Sequence, residues 1–343
     1  MDFLKIDGSF GEGGGQIIRS AVTLSCITQT PIKIENIRKN RKVPGLRPQH
    51  LTGIKLLSKV CNAKVNGLEI GSTSISFDPQ FVQDSQLIED IKTAGSISLI
   101  LQVLIPAVSI SKKSLKLSIT GGTDVPWSPT SDYTRFVLSE AYSRMGIKFS
   151  VKIKKRGYYP RGGGVIDLNV FPSKKINPIT LLKRKFKQVK LYCSFSKLPS
   201  DKIKEYVKVS REFLEGKKFT VTTEINEQSG MDEGGSMLVF SQDSDSIVGV
   251  DCLYDKKTKR FEKNVSQELY ENNLGVDNHL SDMLIVPAAV ADDTSIFRVQ
   301  KITKHLETNL YVTSKITGCK YGIGKLDNGF EVRISGKSDS SVH

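Results

Sequence analysis

The sequence predicts an α+β fold with three repeated helix–strand–helix–strand–strand units, which form layered sheets and helices, and a smaller inserted α/β domain. The same order of helical and extended patterns recurs three times, and residues 178–275 interrupt it. Helices with a single apolar face must pack against sheets, so a layered assembly follows. We predict a main domain of residues 1–177 and 276–338, an inserted domain of residues 178–275, and a tail of residues 339–343.

The first unit contains both periodic patterns. Ile17, Ala21 and Leu24 recur at the spacing of one helix face, whereas the run Ile32-Lys33-Ile34-Glu35 alternates as a strand does. These patterns predict strands at residues 3–7, 32–37, 63–69 and 73–77 and helices at residues 14–29 and 48–61.

The later units repeat this order. The second has predicted helices at residues 96–109 and 132–145 and predicted strands at residues 115–119, 148–153 and 165–170. The third has predicted helices at residues 279–290 and 304–316 and predicted strands at residues 296–300, 320–323 and 330–334. The interrupting segment has a basic run at residues 182–187, a predicted helix at 201–215, a predicted strand at 219–224 and a glycine-containing loop at 229–235.

The composition is that of a soluble globular protein with a basic surface. Apolar residues make up 38% and charged residues 25% of the chain. Fifty lysines and arginines oppose 36 acidic residues and give a net charge of +14. A basic surface attracts polyanions, so nucleic acid or a nucleotide is the favoured partner, with plain solubility as the alternative.

Membrane and disulfide-rich proteins are disfavoured. No apolar run reaches the ~18 residues of a membrane helix, and the first residues do not resemble a secretory signal. The five cysteines are scattered and form no Cys-x-x-Cys pair, which argues against a disulfide framework and against a zinc knuckle. We therefore expect a cytoplasmic protein that does not bind a membrane.

Glycines join the first predicted strand to the first predicted helix in the segment Gly11-Glu12-Gly13-Gly14-Gly15-Gln16, and Arg19 follows one turn later. Glycines let a backbone approach a ligand, and the free N–H groups at a helix start suit a phosphate. Glu12 can hold a divalent ion that bridges phosphates. Taken alone, the segment favours a plain strand-to-helix turn, because glycine-rich turns are weak signals and this one fits neither the Walker loop nor the dinucleotide fingerprint.

A basic loop precedes the second predicted helix. It runs from Arg38 to His50 and carries the positive charges of Arg38, Lys39, Arg41, Lys42 and Arg47. Guanidinium groups match pairs of phosphate oxygens, so an RNA backbone or a terminal phosphate is a plausible ligand. A proline and a glycine shape the loop, which favours this function over a solvated basic surface.

The four histidines show no metal-ligand spacing, so no zinc site is predicted. His343 ends the sequence, His50 can face either the core or a phosphate, and His279 stands at a predicted helix start. His305 begins the run His305-Leu306-Glu307-Thr308-Asn309, and spacing alone slightly favours a structural role for it.

A nine-residue segment, Arg156-Gly157-Tyr158-Tyr159-Pro160-Arg161-Gly162-Gly163-Gly164, resembles the signature of the RNA 3′-terminal phosphate cyclase family. Other segments resemble the family in the same order: residues 11–19, 38–49, 92–96 with Gln102, 121–126 and 305–309. The resemblance covers nearly the whole chain and is weakest in the interrupting segment. The family's fold also has repeated α/β units and a small inserted domain.

The resemblance implies an ATP-dependent reaction on RNA that ends in a 3′-phosphate. A histidine attacks the α-phosphorus of ATP, the AMP then passes to the RNA 3′-phosphate, and the neighbouring 2′-hydroxyl displaces AMP to leave a 2′,3′-cyclic phosphate. Histidine suits this relay because it is neutral and nucleophilic near pH 7. Arginines and a divalent ion, Mg²⁺ or Mn²⁺, would offset the charge that develops.

The same resemblance assigns roles to individual residues. His305 is the expected nucleophile and Glu12 the expected metal ligand. The expected ATP-binding residues are Gln102, Asn278, His279, Leu280, Ser281 and Asp282, and those around the phosphates and the RNA end are Arg19, Arg38, Arg41 and Gln49. Either Pro126 or Pro129 would pack on adenine. Many members have tyrosine where His279 stands.

Two alternatives belong to other functional classes. The family includes a eukaryotic ribosome-assembly branch that is not known to cyclise RNA and that lacks the catalytic histidine and its Thr-Asn neighbours. This chain has His305, Thr308 and Asn309, which favours the catalytic branch. A small-molecule transferase on a similarly repeated fold, such as an enolpyruvyl transferase, is disfavoured by the nine-residue signature.

Overall fold

The structure is a computed structural model that describes residues 2–336 of the 343. The predicted tail, residues 339–343, and with it His343, lies outside the described residues. The fold is α+β, as predicted, with helices packed on mixed sheets.

The strands are β1 (Leu4–Asp7), β2 (Ile32–Glu35), β3 (Lys64–Asn66), β4 (Ile75–Asp78), β5 (Ser85–Asp90), β6 (Leu115–Gly121), β7 (Phe149–Lys155), β8 (Gly164–Val170), β9 (Thr180–Leu181), β10 (Gln188–Ser196), β11 (Thr220–Glu227), β12 (Gly234–Asp243), β13 (Ser246–Asp255), β14 (Arg260–Phe261), β15 (Ser295–Val299), β16 (Tyr321–Leu326) and β17 (Gly329–Ile334). The helices are α1 (Gly15–Thr28), α2 (Pro48–Val60), α3 (Ile97–Ile110), α4 (Ser131–Tyr133), α5 (Ser139–Arg144), α6 (Ser200–Gly216), α7 (Val265–Glu271), α8 (Asn278–Ala289) and α9 (Lys304–Thr317). A π-helical turn, Thr134–Leu138, joins α4 to α5.

Three of the sheets have four strands each and share one strand order. The orders are β1-β2-β4-β3, β5-β6-β8-β7 and β9-β15-β17-β16. In each sheet the first two strands are parallel and the remaining neighbours are antiparallel. A parallel pair requires a crossover connection, and a helix supplies it between β1 and β2 and between β5 and β6.

The fourth sheet belongs to the interrupting segment and has the order β11-β10-β12-β13-β14. Apolar residues on one face of this sheet form a hydrophobic cluster separate from the main core, with α6 and α7 packed on it through residues such as Ile203, Val207, Leu214, Val265 and Leu269. The main core joins the three four-stranded sheets to α1, α2, α3, α8 and α9. The segment therefore has a hydrophobic cluster of its own and also contributes Leu238, Phe240 and Ile247 to the main core.

The structure differs from the sequence prediction in particular elements. The two-residue strand β9 lies inside the segment predicted as the insert, but it pairs with β15 of a four-stranded sheet. Strand β5 was not predicted, and neither were β10, β12 and β13. The last two are buried at most positions, so they lack the alternation that identifies a half-exposed strand. The predicted helix at residues 132–145 is divided by the π-helical turn.

Within residues 2–336, no helix is both long enough and apolar enough to cross a membrane. The apolar helix α3, for example, has 14 residues and contains Pro106.

Candidate active site

Helix α9 presents His305 in its first turn. Thr303 caps the helix, because its hydroxyl oxygen accepts a hydrogen bond of 3.0 Å from the Leu306 amide. The same hydroxyl donates to Asp282 Oδ1 at 3.2 Å and so joins the start of α9 to α8. The His305 side chain is 46% exposed, which leaves the imidazole accessible to a ligand.

Thr308 and Asn309 hold the glycine-containing turn, residues 11–16, against α9. The Glu12 amide donates to Thr308 Oγ1 at 3.0 Å, and Gln16 Nε2 donates to Asn309 Oδ1 at 2.9 Å. Asn309 Nδ2 also donates to the Asp282 carbonyl at 2.8 Å. A side chain at Gly11, where φ is +62°, would collide with the Thr308 hydroxyl. The two α9 residues therefore fix Glu12 relative to His305.

Glu12 lies beside the imidazole with one unsatisfied oxygen. Its Oε1 forms an ion pair with Arg41, and its Oε2 lies 3.9 Å from His305 Nδ1. Within residues 2–336, Oε2 is buried and has no hydrogen-bond partner. Burying a carboxylate oxygen without a partner costs free energy, so a bound cation at this position would stabilise the site.

A cavity extends from His305 between α1, α3 and α8. Its lining is mixed: it includes the polar or charged side chains of Gln16, Arg19, Ser20, Thr23, Gln102, His279, Asp282 and His305 and the apolar ones of Leu99, Trp127, Pro129, Met283 and Val286. Arg19, which is half-buried, donates a hydrogen bond to Gln16 Oε1, and its Nε lacks a partner among the described residues. An unpaired guanidinium nitrogen in a cavity is suited to an anion.

The environment sets the charges in this cavity. Burial, together with the positive charges of Arg19 and Arg41, lowers the pKa of His305 to about 4, so the imidazole is neutral and nucleophilic at pH 7. Burial lowers the pKa of Arg19 to about 10, against the opposing effect of Asp282, so Arg19 stays charged. Burial raises the pKa of Asp282 to about 8, so this carboxyl is mostly protonated at pH 7.

A second depression, here called the arginine groove, adjoins the cavity. It is lined by Arg38, Arg47, Pro48, Gln49, His50, Thr93, Ala94, Gly95, Leu99, Val125, Pro126, Trp127, Tyr159 and Pro160. Burial and the neighbouring charge of Arg47 lower the pKa of Arg38, whose Nε has no partner among residues 2–336. Two guanidinium groups close together attract a dianion such as a terminal phosphate.

His50 is buried at the start of α2, where it stabilises the first turn of the helix. It lies in the first turn of α2, where its Nδ1 accepts a hydrogen bond of 3.2 Å from the Arg47 amide. Burial and the charges of Arg19, Arg38 and Arg47 lower the pKa of His50 to about 3, so it is neutral at pH 7. It supports the arginine groove as an uncharged group.

The structure separates the expected site residues into two neighbouring groups and leaves some outside both. Gln102, His279 and Asp282 line the cavity with His305 and Arg19, whereas Arg38 and Gln49 line the arginine groove. Arg41 pairs with Glu12 at the mouth of the cavity.

Leu280 and Ser281 do not line the cavity. Both are fully buried within α8, and the Ser281 hydroxyl donates to the Asn278 carbonyl at 2.8 Å. Asn278 lines a different depression beside β13. The expected contact of Leu280 and Ser281 with a nucleotide stays a prediction; their side chains do not line the cavity, because a five-residue run on a helix cannot point all its side chains to one face.

Pro129 lines the cavity and Pro126 lines the arginine groove. Sequence reasoning left these two prolines undecided, and it did not single out Arg47 or Trp127. Arg47 was visible as one charge of the basic loop, but Trp127 had no periodic or charge signal.

Comparison of the sequence with known proteins identifies its family. The family model described as RNA 3′-terminal phosphate cyclase matches residues 10–323. The chain belongs to the RNA 3′-terminal phosphate cyclase family. An RNA 3′-terminal phosphate cyclase of Thermococcus kodakarensis is 39% identical over 330 residues, which cover 93% of this chain and 94% of the relative. A cyclase of Thermococcus onnurineus is 38% identical, with 98% of this chain and 100% of the relative covered.

Another cyclase-family relative, from Korarchaeum cryptofilum, is 36% identical and covers 94% of both chains. A solved structure of EPSP synthase from Acinetobacter baumannii is 10% identical, covers 98% of this chain and 65% of that chain, and has a TM-score of 0.25, which is too low for a comparison of folds. The assignment of this chain to the cyclase family therefore rests on sequence similarity along nearly the whole chain, including the segments that contain Glu12 and His305.

Proposed function

We propose that this cyclase-family enzyme uses ATP to convert an RNA 3′-terminal phosphate to a 2′,3′-cyclic phosphodiester through enzyme–histidine–AMP and RNA(3′)pp(5′)A intermediates. The observation that carries the proposal is a half-exposed His305, with its pKa lowered to about 4, at a cavity beside Glu12 and Arg19. A phosphate monoester has no good leaving group, and adenylylation supplies one.

In the first step an imidazole nitrogen attacks the α-phosphorus of ATP. A P–N bond forms, the bond from the α-phosphorus to the bridging oxygen breaks, and pyrophosphate leaves. Positive charge develops on the ring as the lone pair is used, and the carboxylate of Glu12, 3.9 Å from Nδ1, stabilises it. Arg19 offsets the negative charge of the phosphate oxygens.

The remaining cavity residues orient the nucleotide. Gln102, His279 and Asp282 supply hydrogen-bonding groups, and Pro129 supplies an apolar face on which adenine can pack. Because Asp282 is mostly protonated at pH 7, it donates a hydrogen bond without repelling the phosphates.

A divalent ion fits the Glu12 position. Mg²⁺ is commonly held by one or two carboxylates together with substrate phosphates. No group of three or more His, Cys, Asp or Glu side chains with a metal-binding arrangement exists within residues 2–336, and the unpartnered Glu12 Oε2 suits this sparse mode of binding. The ion, when bound, would neutralise charge on phosphate oxygens.

The arginine groove would hold the RNA end in the later steps. An oxygen of the RNA 3′-phosphate attacks the phosphorus of His305–AMP, the P–N bond breaks, and RNA(3′)pp(5′)A forms. The neighbouring 2′-hydroxyl then attacks the 3′-phosphorus, its proton is lost, and AMP leaves. This last step is intramolecular, so proximity supplies much of its rate.

The proposal is tested by incubating the protein with α-labelled ATP and a divalent ion. We expect acid-labile, base-stable label on the wild-type protein and none on His305→Asn, which keeps a polar side chain of similar size. His50→Asn serves as the matched control for a histidine substitution and should still accept label. A wild-type protein without label would instead support a non-catalytic role in ribosome assembly.

We also infer that the three four-stranded sheets are copies of one duplicated unit and that residues 178–275, apart from β9, form an inserted domain. The shared strand order and the separate hydrophobic cluster support this. A cytoplasmic location agrees with five free and buried cysteines.

A further inference from the structure

Trp127 is an unusual residue for a protein surface. It is the sole tryptophan of the chain, its side chain is 98% exposed, and its φ is +63°. Large aromatic side chains usually bury most of their surface, and a bulky residue with positive φ is strained. An indole held outward in this way is suited to a ligand that covers it.

The loop that carries Trp127 is held by hydrogen bonds and a buried ion pair of the residues on either side of it. The Thr130 amide donates to Asp251 Oδ2 at 2.7 Å, and the Ser131 amide donates to Asp124 Oδ1 at 3.2 Å. Asp124 is fully buried and forms an ion pair with Arg156 at 2.9 Å. Ser128 also donates to the Val125 carbonyl at 3.0 Å across the turn. The exposed indole therefore projects from a rigid support.

Trp127 lies where the two depressions of the candidate site meet. It lines the cavity that contains His305, and it also lines the arginine groove that contains Arg38 and Arg47. A second exposed aromatic residue, Tyr159, lines only the groove and is 63% exposed.

The Tyr159 backbone is anchored as well. Its carbonyl accepts a hydrogen bond of 2.9 Å from Lys256 Nζ, and the preceding Tyr158 is buried with its hydroxyl directed to the Ser194 carbonyl at 3.4 Å. Both aromatic residues are thus fixed at the backbone while their rings stay open to solvent.

We propose that Trp127 and Tyr159 form a stacking platform for the last bases of single-stranded RNA, with Trp127 under the terminal base and Tyr159 under a base further from the end. This rests on the proposed function of the site. Trp127 takes the terminal base because it alone of the two borders both depressions, next to the reacting phosphate. Arginines that neutralise the backbone and aromatic faces that stack on bases are the combination by which proteins hold single strands.

The stacking platform predicts that the protein accepts RNA ends of different sequence. Every base has a π-face, so stacking binds RNA ends with little preference for sequence, but it requires a base at the terminal nucleotide. An RNA with an abasic terminal nucleotide keeps the phosphates and loses only the stacking.

The fluorescence of the sole tryptophan tests the proposal without turnover. We expect an RNA that ends in a 3′-phosphate to quench Trp127 emission and the matched RNA with an abasic terminal nucleotide to bind with little quenching. Quenching by ATP alone that RNA does not increase would assign Trp127 to the nucleotide and overturn the proposal. Equal quenching by the abasic RNA would overturn it too.

Discharge of AMP from preformed enzyme–AMP provides the second measurement. We expect Trp127→Ala to raise the half-saturating RNA concentration roughly tenfold, Trp127→Phe to raise it less, and Tyr159→Ala to raise it severalfold. Tyr321→Ala, a 44% exposed tyrosine on β16 outside both depressions, is the matched control. With abasic RNA, wild type and Trp127→Ala should have the same half-saturating concentration; an equal loss for both RNAs would mean that Trp127 only shapes the loop.

The two experiments separate this proposal from the proposed function. If the wild-type protein never accepts AMP but RNA quenches Trp127 in a base-dependent manner, the stacking platform stands and the adenylylation mechanism fails. If the protein cyclises RNA and abasic RNA behaves as normal RNA in both measurements, the mechanism stands and the platform fails.

Discussion

At the scale of single residues, charge states set by burial govern the proposed first step. His305 must be neutral to attack, and its pKa is lowered to about 4 by burial and by Arg19 and Arg41. Asp282 should be protonated so that it does not repel the phosphates of ATP, and burial raises its pKa to about 8. Adenylylation therefore has one limit below neutral pH and another above it.

We predict a broad pH profile for kcat/KM toward ATP in adduct formation. As the pH falls through about 4, protonation of His305 removes the nucleophile; as it rises through about 8, ionisation of Asp282 places a negative charge beside the phosphates. Asp282→Asn should abolish the alkaline limb and leave the acid limb in place. An acid limb near the ordinary histidine pKa of about 6.5 would contradict the electrostatic description of His305.

In the proposed mechanism, Glu12 is the residue on which the response to a divalent ion would depend. We predict that Glu12→Gln raises the half-activating concentration of Mg²⁺ or Mn²⁺ roughly tenfold or more and changes ATP affinity less, because a charged ligand is replaced by a neutral one of the same shape. The measurement is adduct formation titrated with metal. Glu35→Gln, an exposed glutamate paired with Lys33, is the control. An unchanged titration for Glu12→Gln would leave Glu12 as a partner of Arg41 alone.

At the scale of structural elements, the proposed mechanism assigns different steps to the basic loop and to helix α3. We predict that Arg38→Ala leaves the histidine able to accept AMP but slows its transfer to RNA by about tenfold or more, since a charge-assisted hydrogen bond is worth about 1.5–3 kcal/mol. Gln102→Ala should mainly slow adduct formation, because Gln102 on α3 lines the cavity. Single-turnover discharge of isolated adduct separates the steps.

Lys42→Ala is the matched control for the basic loop, because Lys42 is an exposed charge of the same loop that lies outside the arginine groove. It should discharge AMP at nearly the wild-type rate. Failure of Arg38→Ala at adduct formation rather than at discharge would assign the arginine groove to the phosphates of ATP.

The sequence predicted elements well where their signals were local. Helix α9 was expected at residues 304–316 and spans Lys304–Thr317, because Thr303 caps its start and Gly318 ends it with a φ of +74°. Strands β12 and β13 were missed because burial removes alternation, and β9 was missed because two residues carry no pattern. The contacts of Thr308 and Asn309 with residues 11–16 depend on packing between distant parts of the chain, so no local pattern could predict them.

At the scale of the whole molecule, a buried ionic cluster joins the interrupting segment to the main core. Arg156 has no exposed side-chain surface and pairs with Asp124 at 2.9 Å and Asp132 at 2.7 Å. Its guanidinium also donates to Ser194 Oγ on β10, at 2.7 Å, and to Gln228 Oε1. The first residue of the nine-residue signature thus links the interrupting segment to residues 124 and 132 of the main domain.

We predict that Arg156→Ala lowers the free energy of unfolding by about 3–5 kcal/mol, because it leaves two buried carboxylates without their cation. Urea denaturation measures this change. Arg161→Ala is the control within the same signature: Arg161 is 59% exposed and pairs with Asp232, so its loss should cost about 1 kcal/mol or less. Equal losses for the two variants would mean that the buried cluster contributes no more than a surface ion pair.

The bond between Gln16 and Asn309 spans 293 residues of sequence and fixes the turn that carries Glu12 to the helix that carries His305. During synthesis the amino-terminal turn leaves the ribosome long before α9 does. The nucleophile and its carboxylate neighbour can meet only when almost the whole chain has emerged, and long-range contacts of this kind form slowly. In the proposed mechanism a nascent or carboxyl-terminally shortened chain would therefore not react with ATP, so ATP is consumed only by a finished molecule.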